Sequence, residues 1–146
     1  MSFTMTRAER EGFLAEVRIG VLSIPEVGHG PLTAPVWYGY EPGGDLWFVT
    51  GRGSRKGRLL NKDVRVSLCA QTEQPPYKYV SIEGPVCAIT KANVERDVRP
   101  LAHRYLGREL GDRYVETEAG GDSIFVRIRP ERWLSVDYGK QYTIEQ

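Results

Sequence analysis

The sequence lacks any long apolar segment and any large excess of charge of one sign. No apolar run approaches the roughly 18 residues that a bilayer-spanning helix needs, and the opening MSFTMTRAEREGF lacks the apolar core of a signal peptide. Twenty Lys and Arg residues against 19 Asp and Glu leave a net charge of +1, whereas dedicated duplex-DNA binders carry a strongly basic domain or stripe. We therefore expect a protein with no membrane segment and no nucleic-acid partner.

Histidine and cysteine are equally scarce. The only two histidines, His29 and His103, are far apart in the sequence, so we expect neither a zinc site nor a His-based triad, and we predict no metal. The two cysteines, Cys69 and Cys87, lie in apolar strand-like runs without CxxC spacing, which predicts buried free thiols. Because free thiols are typical of reducing compartments, we expect a cytoplasmic protein.

What the chain does contain is a succession of strand patterns within one domain, residues 1–146. Thr6 and Glu9 form a capping box, which predicts a helix over about 7–16. Further helices are expected over RKGRLLNK, residues 55–62, and over 93–106. The predicted strands are 18–24, 31–40, 45–50, 64–71, 77–90, 123–130 and 132–139. Six to seven strands with short connections favour a mainly β, antiparallel barrel with peripheral helices.

Glycine and proline predict three local features of this barrel. The turn EPGG at 41–44 predicts a hairpin between 31–40 and 45–50. Gly84-Pro85 predicts a bulge or sharp bend within the long strand. Pro100 predicts a kink in the helix over 93–106.

Residues 51–58, GRGSRKGR, gather four cations and three glycines between two apolar segments. A P-loop requires Gly, four residues and then Gly-Lys-Ser/Thr, but here Lys56 precedes Gly57 and Arg58 follows it. The dinucleotide fingerprint fails because Lys56 stands where its third glycine belongs. Neither nucleotide-binding motif is therefore present.

The chemistry of a simpler phosphate clamp remains at this segment. Arg55 offers a planar fork for two phosphate oxygens, and Lys56 adds a mobile point charge. Ser54 can donate a hydroxyl hydrogen bond and can also cap the following turn, where free N–H groups favour an anion. The alternative is a solvated basic turn, which is the reading we give to the flanking Arg52 and Arg58. The residues alone leave both readings open.

The stretch FVTGRGSRKGRLLNKDVRVSL resembles the phosphate-binding segment of the pyridoxamine 5′-phosphate oxidases and their relatives, the flavin-binding split-barrel family. The resemblance extends over most of the chain, through the N-terminal helix, IGVLSI, PVWYGY and the strand that ends in Glu83-Gly84. It implies an antiparallel split β-barrel that forms a homodimer and binds a flavin in a cleft between the subunits.

The resemblance also implies which residues bind the cofactor. From the phosphate to the ring, the matching positions are Ser54, Arg55 and Lys56 at the phosphate, Val49 and Thr50 along the ribityl chain, and Pro35, Val36 and Trp37 beside the isoalloxazine ring. Tyr77 or Tyr79, in the long strand, is expected to lie near the cofactor. Trp133 resembles a C-terminal aromatic residue that approaches the ring from the other subunit.

The function that this family implies is hydride transfer by FMN or the deazaflavin F420 to or from a small organic substrate. Ser-Arg-Lys is closer to the FMN-type pattern, whereas a short chain is common among F420-type relatives. The tail WLSVDYGKQYTIEQ lacks the Arg-x-His segment of the oxidases proper, so vitamin B6 oxidation is not implied. Asp137 and Tyr138 are catalytic candidates by position alone. The alternative function is a non-catalytic carrier or sensor that binds a flavin, a haem or another tetrapyrrole.

Overall fold

A computed structural model describes residues 2–118 and 121–143. The elements, in chain order, are α1 (Arg7–Ala15), β1 (Gly20–Ile24), β2 (Leu32–Val36), β3 (Leu46–Gly51), α2 (Arg55–Leu59), β4 (Arg65–Gln71), β5 (Lys78–Lys91), a π-helical turn (Val94–Val98), α3 (Arg99–Glu118), β6 (Ser123–Ile128), β7 (Arg132–Asp137) and α4 (Lys140–Thr143). The predicted domain of 1–146 also includes residues 1, 119–120 and 144–146, which lie outside the described part. Among the described helices, none is long and apolar enough to cross a bilayer.

All strands pair in antiparallel fashion in the order β2-β1-β4-β5-β6-β3, and β7 pairs with β5 outside this path. Strand β5 is shared, because Lys78–Glu83 pairs with β7 and Val86–Lys91 pairs with β6. The sheet curls, and its end strands β2 and β3 do not pair with each other; an isolated bridge joins Gly39, in the segment after β2, to Trp47 of β3. This is the split antiparallel barrel with peripheral helices that the sequence predicted.

Alternation of side chains builds the core between the curled strands. Along β4, Val66, Leu68 and Ala70 are buried while their neighbours face outward, as period-2 patterning requires. Helix α1 closes one end of the core with its buried Phe13 and Leu14. Its predicted capping box is confirmed: Thr6 Oγ1 accepts from the Glu9 N–H at 3.2 Å, and the Glu9 carboxylate accepts from the Thr6 N–H at 2.9 Å.

The predicted hairpin between 31–40 and 45–50 forms only at its turn end, where Gly39 and Trp47 make an antiparallel bridge. The two strands themselves pair elsewhere. Strand β2 pairs with β1, from Gly20↔Val36 to Ile24↔Leu32, and β3 pairs with β6. Residues 37–45 instead carry the chain across the open side of the barrel. There the Trp47 indole lies directly against Gly39, where any Cβ would collide with the ring. Residues 41–44 do form a turn, but the alternating side chains of β2 are compatible with more than one neighbouring strand.

Three smaller expectations also need correction. The chain bends at Gly107 (φ 80°), and Pro100 is accommodated without a kink because it occupies the first turn of α3. The irregularity in β5 is a register shift between Val86 and Ala88, two residues beyond the predicted position. Cys69 and Cys87 are free thiols but are half-buried rather than buried.

Candidate functional site

A cavity of about 570 Å³ opens between the two end strands of the sheet and the helical segments that follow β5. This volume lies within the roughly 300–1,000 Å³ range of small-molecule sites. Its strand side holds six of the residues predicted to bind a cofactor, namely Pro35, Val36, Trp37, Val49, Thr50 and Lys56. The fold therefore brings together residues from three separate segments of the chain around one space.

The cavity is bordered by backbone N–H and C=O groups that form no hydrogen bonds to a neighbouring strand. Strands β2 and β3 each have one neighbour in the sheet order, so each keeps one edge of N–H and C=O groups without a strand partner. The Pro35–Trp37 segment lies on one side of the split and Val49–Thr50 on the other. A planar heterocycle placed in the split would meet donors and acceptors from both edges.

The joint between β3 and α2 is a compact turn held by its own hydrogen bonds. The Ser54 hydroxyl donates to the Gly51 carbonyl at 2.7 Å and accepts from the Gly57 N–H at 3.0 Å. Gly57 packs so closely that a Cβ there would lie 2.6 Å from the Arg52 carbonyl oxygen and nearer still to that of Gly51. Ser54 thus caps α2 and does not line the cavity.

The four cations of this joint have different surroundings. Lys56 lines the cavity. The Arg55 guanidinium lies 2.6 Å from the carboxylate of Glu26, in the loop between β1 and β2, and the Arg52 guanidinium lies 3.2 Å from that of Asp122. Among the acidic residues that the structure describes, none forms a salt bridge with Lys56 or Arg58. Of the two predicted phosphate-binding cations, only Lys56 therefore faces the cavity directly.

The opposite wall of the cavity is helical and was not anticipated from the sequence. The π-helical turn and the first half of α3 contribute Val94, Val98 and Leu101, and the second half contributes Tyr114, Val115 and Glu118. Burial, together with the Glu118 carboxylate, raises the pKa of Tyr114. The wall is apolar except for this phenol and carboxylate. No sequence motif marks either residue, because they follow a bend at Gly107 that resembles a helix end.

An aromatic cluster joins the helical wall to strand β2. The Trp37 indole stacks on Tyr105, with centroids 5.2 Å apart and ring planes at 5°, and it also contacts the Tyr114 ring at 5.2 Å. The Tyr105 hydroxyl accepts from the Tyr38 N–H at 3.0 Å and donates to the Arg18 carbonyl at 2.7 Å. These bonds fix the orientation of Trp37 at the edge of the cavity.

The two halves of α3 are held together by a charged cluster. The Asp112 carboxylate lies 2.6 Å from both His103 Nε2 and the Arg99 guanidinium, and its hydrogen bonds to His103 and then to Arg99 lower its pKa. Gly111 permits this approach, since a Cβ there would lie 2.7 Å from the His103 ring. The cluster keeps Tyr114 and Glu118 against the cavity.

Five of the eleven predicted cofactor-binding residues do not line this cavity: Ser54 and Arg55 at the joint, and Tyr77, Tyr79 and Trp133. Tyr77 precedes β5 and is half-exposed, and Tyr79 pairs in register with Gln71 and Val136. The Trp133 ring packs edge-on against the Tyr40 ring, with 6.1 Å between the ring centroids. The Arg10 guanidinium lies over the Trp133 ring, 4.7 Å from the ring centroid. Within one protomer these side chains do not reach the cavity wall.

The two residues considered catalytic by position also lie elsewhere. Asp137 accepts a hydrogen bond from the Gly139 N–H at 2.8 Å, and Tyr138 packs against Phe3 with ring centroids 5.4 Å apart. Neither lines the cavity between β2 and β3. They serve as a turn carboxylate and a packed aromatic residue.

The outward face of the sheet carries a row of small and apolar side chains. Pro35, Val21, Cys69, Ser81 and Leu134 are in register across β2, β1, β4, β5 and β7. Two of them are well exposed, Val21 at 38% and Leu134 at 58%. The row ends at Pro35, which also lines the cavity. The cavity thus opens beside an apolar surface.

Comparison with known proteins gives a consistent result. The model of the pyridoxamine 5′-phosphate oxidase family matches residues 6–137. A solved structure of the conserved hypothetical protein Rv2991 from Mycobacterium tuberculosis is 25% identical, with a TM-score of 0.79 over 97% of this chain and 90% of that one. An F420 reductase is 20% identical, with a TM-score of 0.67 over 85% of this chain and 94% of the other.

A third structural match is an FAD-binding protein from Mesorhizobium loti. It is 19% identical, with a TM-score of 0.59 over 90% of this chain and 94% of that chain. No match was found among the curated proteins. Both of the more distant structures share the fold described above.

Proposed function

The chain belongs to the pyridoxamine 5′-phosphate oxidase family, and we propose that it is an oxidoreductase that uses FMN or F420. The observation that carries this proposal is a cavity of about 570 Å³ with Lys56 on its wall, open between two unpaired strand edges. When bound, such a cofactor supplies hydride transfer. The protein's own tasks are to bind, orient and shield it.

In this proposal, each part of a flavin-type cofactor is assigned to a group of residues at the cavity. The Lys56 ammonium can bind the phosphate, with Arg55 beside it on α2. Val49 and Thr50 line the same cavity and can contact the ribityl chain. The Pro35–Trp37 segment offers backbone donors and acceptors to the ring heteroatoms.

The substrate occupies the remaining space under the helical wall in this proposal. Val94, Val98 and Leu101 exclude water from one side of the ring and favour an apolar small molecule. The Tyr114 hydroxyl and the Glu118 carboxylate are the polar groups available to orient it.

We also propose that two copies assemble through the outward face of the sheet, with the cofactor at the interface. The exposed apolar row from Val21 to Leu134 borders the cavity. Tyr77, Tyr79 and Trp133 can contact a cofactor only from a second copy. Leu134→Glu should therefore give a monomer that has lost cofactor binding, whereas Leu110→Glu, at a similarly exposed site on α3, should not. Light scattering coupled to gel filtration measures the outcome.

Cofactor identity is the first test of the function. The purified protein is titrated with FMN and with F420, and binding is followed by the visible spectrum and by fluorescence. Micromolar binding of either supports the proposal, and binding of neither refutes it. Turnover is then assayed with NADPH, or with reduced F420 and candidate acceptors. Binding with no turnover would favour the alternative, a carrier or sensor.

A further inference from the structure

The cations at the β3–α2 joint are largely balanced by carboxylates. Glu26 pairs with Arg55 at 2.6 Å and is itself only 19% exposed, so its charge lies against the joint rather than out in solvent. Asp122 pairs with Arg52 at 3.2 Å. The sequence places Glu26 and Asp122 far from the basic segment in the chain, so this pairing appears only in the folded protein.

A third carboxylate faces the same space as the clamp. Glu118 lines the cavity together with Lys56. The four cations of residues 51–58 are thus set against three carboxylates, and the joint and its cavity carry a net charge of about one positive unit. A phosphomonoester such as that of FMN carries about −1.5 to −2 at neutral pH, whereas a phosphodiester carries a single negative charge.

We propose, on the basis of the function proposed above, that this site is matched to a cofactor whose phosphate is a singly charged diester, and that Glu26 disfavours a phosphomonoester dianion. F420 carries its one phosphate as a singly charged diester, whereas FMN carries a monoester and FAD a diphosphate, each with about two negative charges. Glu26 achieves the discrimination by repulsion, which acts against the wrong ligand more strongly than against the right one. Glu26 therefore discriminates between ligands by their charge and not by the shape of their ring.

The size of the effect follows from Coulomb's law. A phosphate that contacts Arg55 would lie about 6 Å from the Glu26 carboxylate, and at the high effective dielectric of a half-exposed site each ligand charge weakens binding about three- to tenfold. The repulsion energy is proportional to the ligand charge. If removal of the Glu26 charge raises the affinity for a monoanion by a given factor, it should therefore raise the affinity for a dianion by the square of that factor. A neutral ligand should not respond.

The test uses three ligands that share the isoalloxazine ring and differ in charge. Riboflavin, its 5′-methyl phosphodiester and FMN carry zero, one and two negative charges at pH 8, where the monoester is fully ionised. They are titrated at low ionic strength, because salt screens the effect. F420 is titrated alongside as a natural phosphodiester, and FAD as a natural diphosphate with two negative charges. In the unaltered protein the methyl diester should bind at least as tightly as FMN.

Glu26→Gln should raise the affinity for FMN about three- to tenfold more than that for the methyl diester, with riboflavin unchanged. Glu41→Gln is the matched control, since this glutamate lies in the exposed turn before β3, at the opposite end of that strand from Lys56. Asp122→Asn, at a 68% exposed side chain, should shift the ratio in the same direction and guards against a folding defect in the Glu26 variant.

Two results would overturn the inference while leaving the proposed function intact. One is FMN binding more tightly than the methyl diester in the unaltered protein. The other is an FMN-to-diester ratio that neither Glu26→Gln nor Asp122→Asn changes, in variants shown by thermal denaturation to be folded. Failure of all five ligands to bind would instead refute the proposed function itself.

Discussion

Replacing Gly57 with alanine tests whether the shape of the β3–α2 joint places Lys56 on the cavity wall. A Cβ at residue 57 would lie 2.6 Å from the Arg52 carbonyl oxygen and closer to that of Gly51, whereas real Cβ atoms essentially never approach within 3.0 Å. Both obstacles are backbone atoms and cannot rotate away. Helix α2, and Lys56 with it, must therefore move. Gly53→Ala is the matched control, because no atom lies within 4 Å of a Cβ there.

The magnitude combines two opposing contributions. Overpacking of this kind costs about 1–3 kcal/mol, and alanine regains up to about 1 kcal/mol over glycine inside a helix. We expect Gly57→Ala to lower the free energy of unfolding by about 1–2 kcal/mol, which corresponds to a fall in Tm of roughly 3–8 °C. Gly53→Ala should leave stability within about 1 kcal/mol of the unaltered protein.

The decisive assay is cofactor titration of both variants beside thermal denaturation. Displacement of Lys56 should reduce the affinity for the cofactor at least tenfold in Gly57→Ala, since a charge-assisted hydrogen bond contributes about 1.5–3 kcal/mol. Equal stability and equal affinity in the two variants would refute the close contact. Lower stability with unchanged affinity would show that the contact exists but does not position Lys56.

Further predictions concern charge, anchoring and pH. Lys56→Ala should weaken binding of a phosphorylated flavin about tenfold or more and leave riboflavin unaffected, whereas Lys62→Ala should change neither titration. Tyr105→Phe removes hydrogen bonds of 2.7 and 3.0 Å and should cost roughly 1–3 kcal/mol in urea denaturation. Hydrogen bonding to Lys140, and then to the capping backbone, lowers the pKa of Glu9 from 4.5 to about 2. Its stabilisation is therefore complete above pH 4.5 and is lost as the pH falls towards 2, and Glu9→Gln should flatten the acid limb of the stability profile over that window.

The strands were predictable because alternation of apolar and polar residues states which side chains face the core. Val66, Leu68 and Ala70 of β4 are buried as their spacing implies. Which strand lies beside which was less accessible. The turn at 41–44 connects β2 and β3, yet these strands end on opposite edges of the sheet order, and a local turn signal cannot encode that separation.

The site was predictable only in the part that one segment encodes. Lys56 could be found because glycines and cations concentrate around it, whereas its role beside Arg55 depends on partners that folding brings from elsewhere. Glu26 is 29 residues from Arg55 in the chain and 2.6 Å away in space. Tyr114 and Glu118 lie after the bend at Gly107, beyond the helix that the sequence predicts over 93–106.

The split in the barrel also has a consequence for how the protein opens. Strands β2 and β3 have one sheet neighbour each, whereas the Lys78–Glu83 half of β5 lies between β4 and β7. Strands with fewer hydrogen-bonded neighbours unfold locally at lower free energy, so the segments proposed to hold the cofactor are among those whose amide hydrogens exchange first. A bound cofactor would then protect the rim of the sheet from proteases and from edge-to-edge aggregation. The resistance of this protein to misassembly would therefore depend on how much of the cofactor is available to bind it.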